Sequence, residues 1–227
     1  MDKLEIENIA LSLQRRIWEQ RTAIWPDQVP SPLGMLDPEI AAHVLGIQYE
    51  HWEELTPLAK QGKRVLIAGL LDRQARKIAV SDQFPDEIVR FTGAHEIGHW
   101  LLHPGQVMHR DLPIKGLGET LSRMPQEKEA DYFAACFLMP RKLVKMALET
   151  TFLVNAPFVL DDNAAFWLCP HDPDSLLRAD VGSLDCALSL AAAKSYGGRH
   201  FNSLAKQFRV SVKTMAIRLK ELELIQE

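Results

Sequence analysis

The chain has 227 residues, enough to bury a sizeable core in one large domain or in a main domain with an appendage. Hydrophobic residues at 47% and charged residues at 25% argue against global disorder, and a net charge of −4 removes any chain-wide basic field for nucleic acid. Acidic Asp2, Glu5 and Glu7 do not fit the layout of a signal peptide, and the longest apolar run, Val65 to Leu71, is too short to span a bilayer. A soluble, cytoplasmic protein with no membrane partner is expected. Cys136, Cys169 and Cys186 form no Cys-x-x-Cys pair, and their odd number cannot make a closed disulfide set, which suits a reducing compartment. Cys136 reads as a core residue, and the neighbouring Cys169 and His171 lack the further partners a metal would need.

From Leu4 to about Trp18, Ile6, Ile9, Ala10, Leu13 and Ile17 recur at helical intervals and predict an amphipathic helix packed on the domain. Pro26, Pro30, Pro32 and Pro38 break up the next segment, which cannot be continuous helix. A short helix then starts with Asp37 as cap and Pro38 in its first turn, and ends near Gly46. Val65 to Leu71 and Lys77 to Ser81 predict two antiparallel strands joined by the polar 72–76 stretch. Helical spacing returns from Asp86 to His103 and stops at Pro104-Gly105. A loop rich in Pro and Gly comes next, to about Pro125. Gln126 to Pro140 is acidic first and apolar later, as suits a helix whose positive dipole end carries carboxylates and whose remainder enters a core. Residues 151–182 predict irregular structure with short helical pieces, and Leu184 to Tyr196 another helix stopped by Gly197-Gly198.

Phe201 to Lys220 reads as helix, tight turn and helix, with Ser211 capping the second helix. The pattern resembles a helix-turn-helix. Arg199 to Lys220 carries six Lys or Arg and no Asp or Glu. Lys213 and Arg218 would be available to DNA if this unit entered a groove. The competing expectation, favoured because the basic charge is local, is packing on the domain or protein recognition.

The chemistry concentrates at His95-Glu96-Ile97-Gly98-His99, the His-Glu-x-x-His signature of zinc-protease helices. Residues four apart on a helix project from nearly the same side, so His95 and His99 can face one metal with Glu96 beside them. A catalytic zinc commonly takes three protein ligands and a water. His103 lies a further turn along the same helix, too far to converge readily. Glu127 on the next helix is the leading third ligand, and Asp131, one turn later on the same face, can orient a ligand histidine through its other ring nitrogen. His103 is assigned a similar supporting role at the helix end. Glu129 is rotated away from Glu127 and should face elsewhere. Glu96 would be the general base and acid. The residue that helps hold the oxyanion is open among Tyr132, His109 and His171; His109 and His171 are otherwise expected at the surface.

Arg90 to His103 and Glu127 to Pro140, the latter ending in Leu-Met-Pro, together resemble the two signature helices of the ImmA/IrrE family of metallopeptidases. The resemblance covers about residues 40 to 145 and the C-terminus, whereas 151–182 matches nothing in the family pattern. It implies a mostly helical, zincin-like α+β domain with a small antiparallel sheet, bearing His95, His99 and Glu127 on Zn²⁺ and Glu96 as catalytic acid/base. It also implies a protein substrate, a helix-turn-helix transcriptional repressor whose cleavage releases genes in mobile-element or stress regulation of bacteria. The expected organisation is a peptidase domain over 1–150, a connecting region over 151–196 and the helix-turn-helix-like unit over 197–227. The competing function is a non-proteolytic, metal-containing regulator acting through DNA or protein binding by that last unit. Two imidazoles and a carboxylate suit several divalent ions, so zinc rests on the motif and the resemblance.

Overall fold

The computed structural model describes residues 1–60, 63–105, 107–111, 124–180 and 182–226. They form two compact units, Met1–Leu138 and Met139–Glu227, each mixing helices with small sheets. Among the described residues no helix is long and apolar enough to cross a membrane.

The first unit begins with α1 (Lys3–Ile24) and α2 (Pro38–Leu45). Asp2 caps α1 by accepting from the Glu5 amide at 2.8 Å, and Ile6, Ala10, Leu13 and Ile17 form its buried stripe. That stripe rests on α2 and on α4 (Pro125–Leu138). The expected start and stop of α2 are both present: Asp37 accepts from the Glu39 amide, and Gly46 ends the helix at φ 67°.

The strands are β1 (Gln48–Trp52), β2 (Leu55–Lys60), β3 (Lys63–Ile67), β4 (Gly69–Asp72), β5 (Lys77–Ser81) and β6 (Met108–Asp111). They correct the strand reading in three ways. The main sheet, ordered β1-β5-β4-β6, is mixed rather than antiparallel, because β1 joins β5 in parallel. Glu50 and His51 interrupt Tyr49 and Trp52 in β1, which left no β-branched run to read. Second, Val65 to Leu71 is not one strand. It breaks at Ala68, so β3 pairs with β2 in a separate antiparallel hairpin while β4 pairs with β5 and β6. Hydropathy is continuous across the break and cannot reveal that the two halves have different partners. Third, part of the expected 104–125 loop is β6; residues 106 and 112–123 of that loop lie outside the described residues.

Helix α3 (Asp86–Leu102) is buried continuously from Val89 to His99, because β4 and β5, α2 and α4 all pack against it. The β4–β5 turn fastens its end. Arg73 Nη2 donates to the carbonyls of His99, Trp100 and His103 at 3.1, 3.0 and 3.2 Å, and its guanidinium lies 4.5 Å over the Trp100 ring. These carbonyls belong to the negative end of the helix, where a cation is favourable. Arg76 does the same for α2 through the carbonyls of Leu45 and Gly46. The backbone amide of Arg73 also donates to Val107, just before β6, at 3.0 Å.

Against α4, the contact is made by a missing side chain. A Cβ on Gly98 would lie 3.1 Å from both Ala130 Cα and Phe133 Cδ1, closer than ordinary packing. Gly98 therefore sets how near α4, and every side chain it carries, comes to the motif helix.

The second unit contains α5 (Arg141–Phe152), β7 (Phe158–Val159), α6 (Asp162–Leu168), α7 (Pro173–Leu177), α8 (Asp185–Ala192), β8 (Ser195–Tyr196), β9 (Arg199–His200), α9 (Leu204–Phe208), α10 (Val212–Glu221) and β10 (Ile225–Gln226). The 151–182 stretch does hold short helices, α6 and α7, and is tied down at β7, which pairs with β10 in parallel. Phe152 meets Phe158, Tyr196 and Phe201 in edge-on contacts with centroids 5.3 to 5.8 Å apart, a favoured aromatic geometry. Helix α8 stops at Ala192 rather than Tyr196. Gly197 and Gly198, at φ 55° and 75°, instead turn a β8–β9 hairpin, since successive positive φ angles match the twist of paired strands. Ser211 caps α10 as expected, accepting from the Thr214 amide.

The assignment of Arg218 to DNA contact is corrected. Arg218 is 1% exposed, because it lies on the side of α10 with Met215 and Leu219; its Nε donates to the Met139 carbonyl at 3.1 Å and its Nη1 pairs with Glu221. A guanidinium so held cannot reach a phosphate without unpacking the helix.

Gly98→Val should destabilise the chain by about 1–3 kcal/mol in urea unfolding, the usual cost of overfilling a packed contact. Gly98→Ala should be close to neutral, since its helix-propensity gain of about 1 kcal/mol offsets a smaller displacement. A valine variant as stable as the parent would mean that the α3–α4 approach does not depend on Gly98.

Candidate metal centre

The buried part of α3 carries His95, Glu96 and His99, each 0% exposed. One helical turn separates the two histidines, and their Nε2 atoms face each other at 2.9 Å. Glu127, in the first turn of α4, turns one carboxylate oxygen to each: Oε2 is 3.5 Å from His95 Nε2 and Oε1 is 3.5 Å from His99 Nε2. Ligand atoms about 2.0–2.1 Å from a tetrahedral ion stand about 3.4 Å apart, and these separations are close to that. The donor set also suits the charge. Two imidazoles and a carboxylate are ligands that a divalent cation takes, and its charge would offset that of the carboxylates gathered here.

The other ring nitrogens are held from behind. His95 Nδ1 is 2.9 Å from Asp131 Oδ1, His99 Nδ1 is 2.9 Å from His103 Nδ1, and His103 Nε2 is 2.8 Å from Glu129 Oε2. One proton arrangement satisfies all three bonds: His95 Nδ1–H donates to Asp131, His99 Nδ1–H donates to His103, and His103 Nε2–H donates to Glu129. Both Nε2 lone pairs then remain for a metal. Such partners fix the tautomer and orientation of ligand histidines. Glu129 does face away from the triangle, as its rotation from Glu127 requires.

His109 is where the sequence reading fell short. Expected at the surface, it is half-buried on β6, with Nε2 3.0 Å from Glu127 Oε1 and Nδ1 3.3 Å from Glu96 Oε2. His95, His99, His109 and Glu127 together can present one ligand atom each within 4.8 Å of one another. Nothing in Met108-His109-Arg110-Asp111 marks a strand, so the only available signal was a histidine shortly after the motif. Of the other two residues considered for the oxyanion, Tyr132 has Lys3 Nζ 4.8 Å over its ring, and His171 belongs to the second unit, where it is exposed.

The electrostatics follow from this crowding. Burial pushes the His99 pKa down, against the hydrogen bond to Glu127 that raises it. For Glu127, burial alone would raise the pKa, but hydrogen bonds with His109, His95 and His99 hold the carboxyl far below the usual range. His109 is opposed by burial yet is pushed up to about 9 by its hydrogen bonds to Glu127 and Glu96. In the metal-free chain it therefore donates from both nitrogens.

Glu96 has one oxygen on His109 and the other, Oε1, buried with no hydrogen-bond partner among the described residues. A Cβ on Gly69 at the start of β4 would stand 2.7 Å from that oxygen and 2.5 Å from Thr92 Cγ2. The absence of a side chain at Gly69 thus leaves Glu96 room beside the triangle. An unpartnered buried carboxylate oxygen is costly, and its place beside metal-sized geometry suits a group that receives a proton.

Asp131→Asn should weaken metal binding about 10–100-fold, the usual effect of removing a carboxylate behind a ligand histidine, with the helical circular-dichroism signal retained. Competition with a chromophoric chelator measures it; parental affinity in the variant would show that the Asp131 contact does not support a ligand.

No curated protein matches the chain. Residues 59–153 match the Peptidase_M78 family model, described as an IrrE N-terminal-like domain, and the matched segment contains every member of the His95, His99, His109 and Glu127 cluster. Residues 59–153 are thus similar to an IrrE N-terminal-like domain, in line with the resemblance of the two signature helices to the ImmA/IrrE family.

Proposed function

We propose that the protein is a zinc-dependent metalloendopeptidase that cleaves a protein regulator, with His95, His99 and Glu127 as metal ligands and Glu96 as general base and acid. The observation that carries this reading is the placement of Glu96. Its Oε1, which has no hydrogen-bond partner among the described residues, is buried beside the three candidate donors His95, His99 and Glu127, and a purely structural metal site has no use for such a carboxylate. The match of residues 59–153 to a peptidase-type family model supports the same reaction class.

A bound zinc ion would lower the pKa of a coordinated water toward about 7 and polarise the peptide carbonyl. Glu96 takes the proton of the attacking water and passes it to the leaving amine, a contribution typically worth about 10²–10⁴ in rate. Asp131 holds the His95 ring in register, and His103 with Glu129 does the same for His99.

The substrate we infer is a helix-turn-helix transcriptional repressor, and the setting a bacterial regulatory switch in the cytoplasm. The family resemblance supports the first two, and the free cysteines Cys136, Cys169 and Cys186 suit the last. In this reading the chain to about residue 150 carries the chemistry, 151–196 connects, and α9 with α10 in 197–227 serves protein recognition as a helix-turn-helix-like unit. The burial of Arg218 weighs against direct DNA contact by that unit.

Glu96→Gln should retain metal yet lose at least about 10²-fold in cleavage of a regulator that the parent digests, read by mass spectrometry of the products. Equal cleavage by both proteins would remove Glu96 from the mechanism, and equal persistence of every candidate regulator would favour a non-proteolytic role. Chelation should abolish cleavage and Zn²⁺ should restore it. Restoration by Mn²⁺ or Fe²⁺ but not Zn²⁺ would overturn the choice of metal.

A further inference from the structure

The three imidazoles near Glu127 share one pattern. Each directs Nε2 toward the cluster's donor atoms and engages Nδ1 behind: His95 with Asp131 at 2.9 Å, His99 with His103 at 2.9 Å, and His109 with Glu96 at 3.3 Å. A ring nitrogen held by a carboxylate or another acceptor is the usual accompaniment of metal ligation by the opposite nitrogen. His109 Nε2 is 3.0 Å from Glu127 Oε1, which itself stands 3.5 Å from His99 Nε2. The His109 and His99 rings are close and tilted, with centroids 3.9 Å apart and planes inclined by 36°. The His109 imidazole therefore bridges Glu127 and Glu96, the candidate ligand and the candidate base.

We infer that His109 is a fourth protein ligand, which closes the metal site at rest and is exchanged for water when the enzyme acts. This rests on the metallopeptidase reading above. Three protein donors leave a catalytic zinc one open position, whereas four close it. The same contact engages the base, since the Glu96 oxygen that faces His109 Nδ1 is not free for a water proton. One side chain thus blocks the nucleophile and occupies the group that would activate it. His109 stands on β6, hydrogen-bonded to β4 and placed at the edge of the sheet, while His95, His99 and Glu127 stand on packed helices. Release requires a shift of one edge strand or one rotamer, with the other three donors unmoved. No covalent step is involved: imidazole leaves the ion and water takes its position.

The test uses the full chain loaded with Co²⁺, whose visible absorption reports coordination number and exogenous ligands without reference to cleavage. Acetohydroxamate is the probe. In the parent, His109 competes for the probe's position, so half-saturation should need at least about tenfold more acetohydroxamate than in His109→Ala, the factor by which a small open population weakens apparent affinity. His109→Asn, which keeps a polar side chain but no imidazole, should behave like the alanine variant and serves if that one does not fold. Both variants should change the cobalt spectrum before any probe is added. Identical spectra and identical acetohydroxamate affinities in parent and variants would overturn ligation by His109 while leaving the metal site intact. Slower cleavage with unchanged spectra would assign His109 to the oxyanion instead. Failure of the parent to bind Co²⁺ or Zn²⁺ at all would remove the metallopeptidase reading as well, a result distinct from the other two.

Discussion

The close approach of α3 and α4 at Gly98 is the constraint on which the rest of this molecule depends. A residue without a side chain lets Ala130 and Phe133 come this near the motif helix with no displacement, and that separation brings Glu127 and Asp131 to His95 and His99. The approach forces three carboxylates, those of Glu96, Glu127 and Asp131, into a largely buried volume with three imidazoles. Removing such charges from water is unfavourable by several kcal/mol each unless opposite charge and hydrogen bonds compensate. The fold meets part of that cost with the hydrogen bonds behind each ring, and the donor geometry suits a cation for the remainder.

Rigid and less rigid parts of the site come from different layers. His95, Glu96 and His99 sit in a helix packed against β4, β5, α2 and α4, so their positions are over-determined by neighbours. His109 comes from the edge of the sheet. A metal held here would have a fixed frame and, on the inference drawn for His109, one adjustable donor, the arrangement needed if access to the ion is to change while affinity for it does not vanish.

The parts legible in the sequence were those whose information is local. His95, Glu96 and His99 share one helix, and Glu127 and Asp131 another, so periodicity was enough to put each set on one face. Asp37, Gly46 and Ser211 were readable as helix ends for the same reason. The mixed sheet was not, because pairing between β1 and β5 depends on residues nearly thirty positions apart and leaves no periodic trace in Gln48 to Trp52. His109 was missed on the same ground: its role comes from β6 pairing with β4, which an otherwise ordinary four-residue stretch does not announce. Arg218 shows the opposite error. A basic residue in a locally basic helix looked available to a partner, yet the helix turns it inward to the Met139 carbonyl.

Arg73 joins these pieces in a further way. Its guanidinium holds the last carbonyls of α3 while its backbone amide holds Val107, two residues before His109. The two ends of the site are thereby moored to one residue in a surface turn. Loosening that turn frees the tail of the motif helix and the root of β6 together, so the two belong to one cooperative unit of local unfolding. Amide exchange there would report the wear of the site well before the core of the molecule opens.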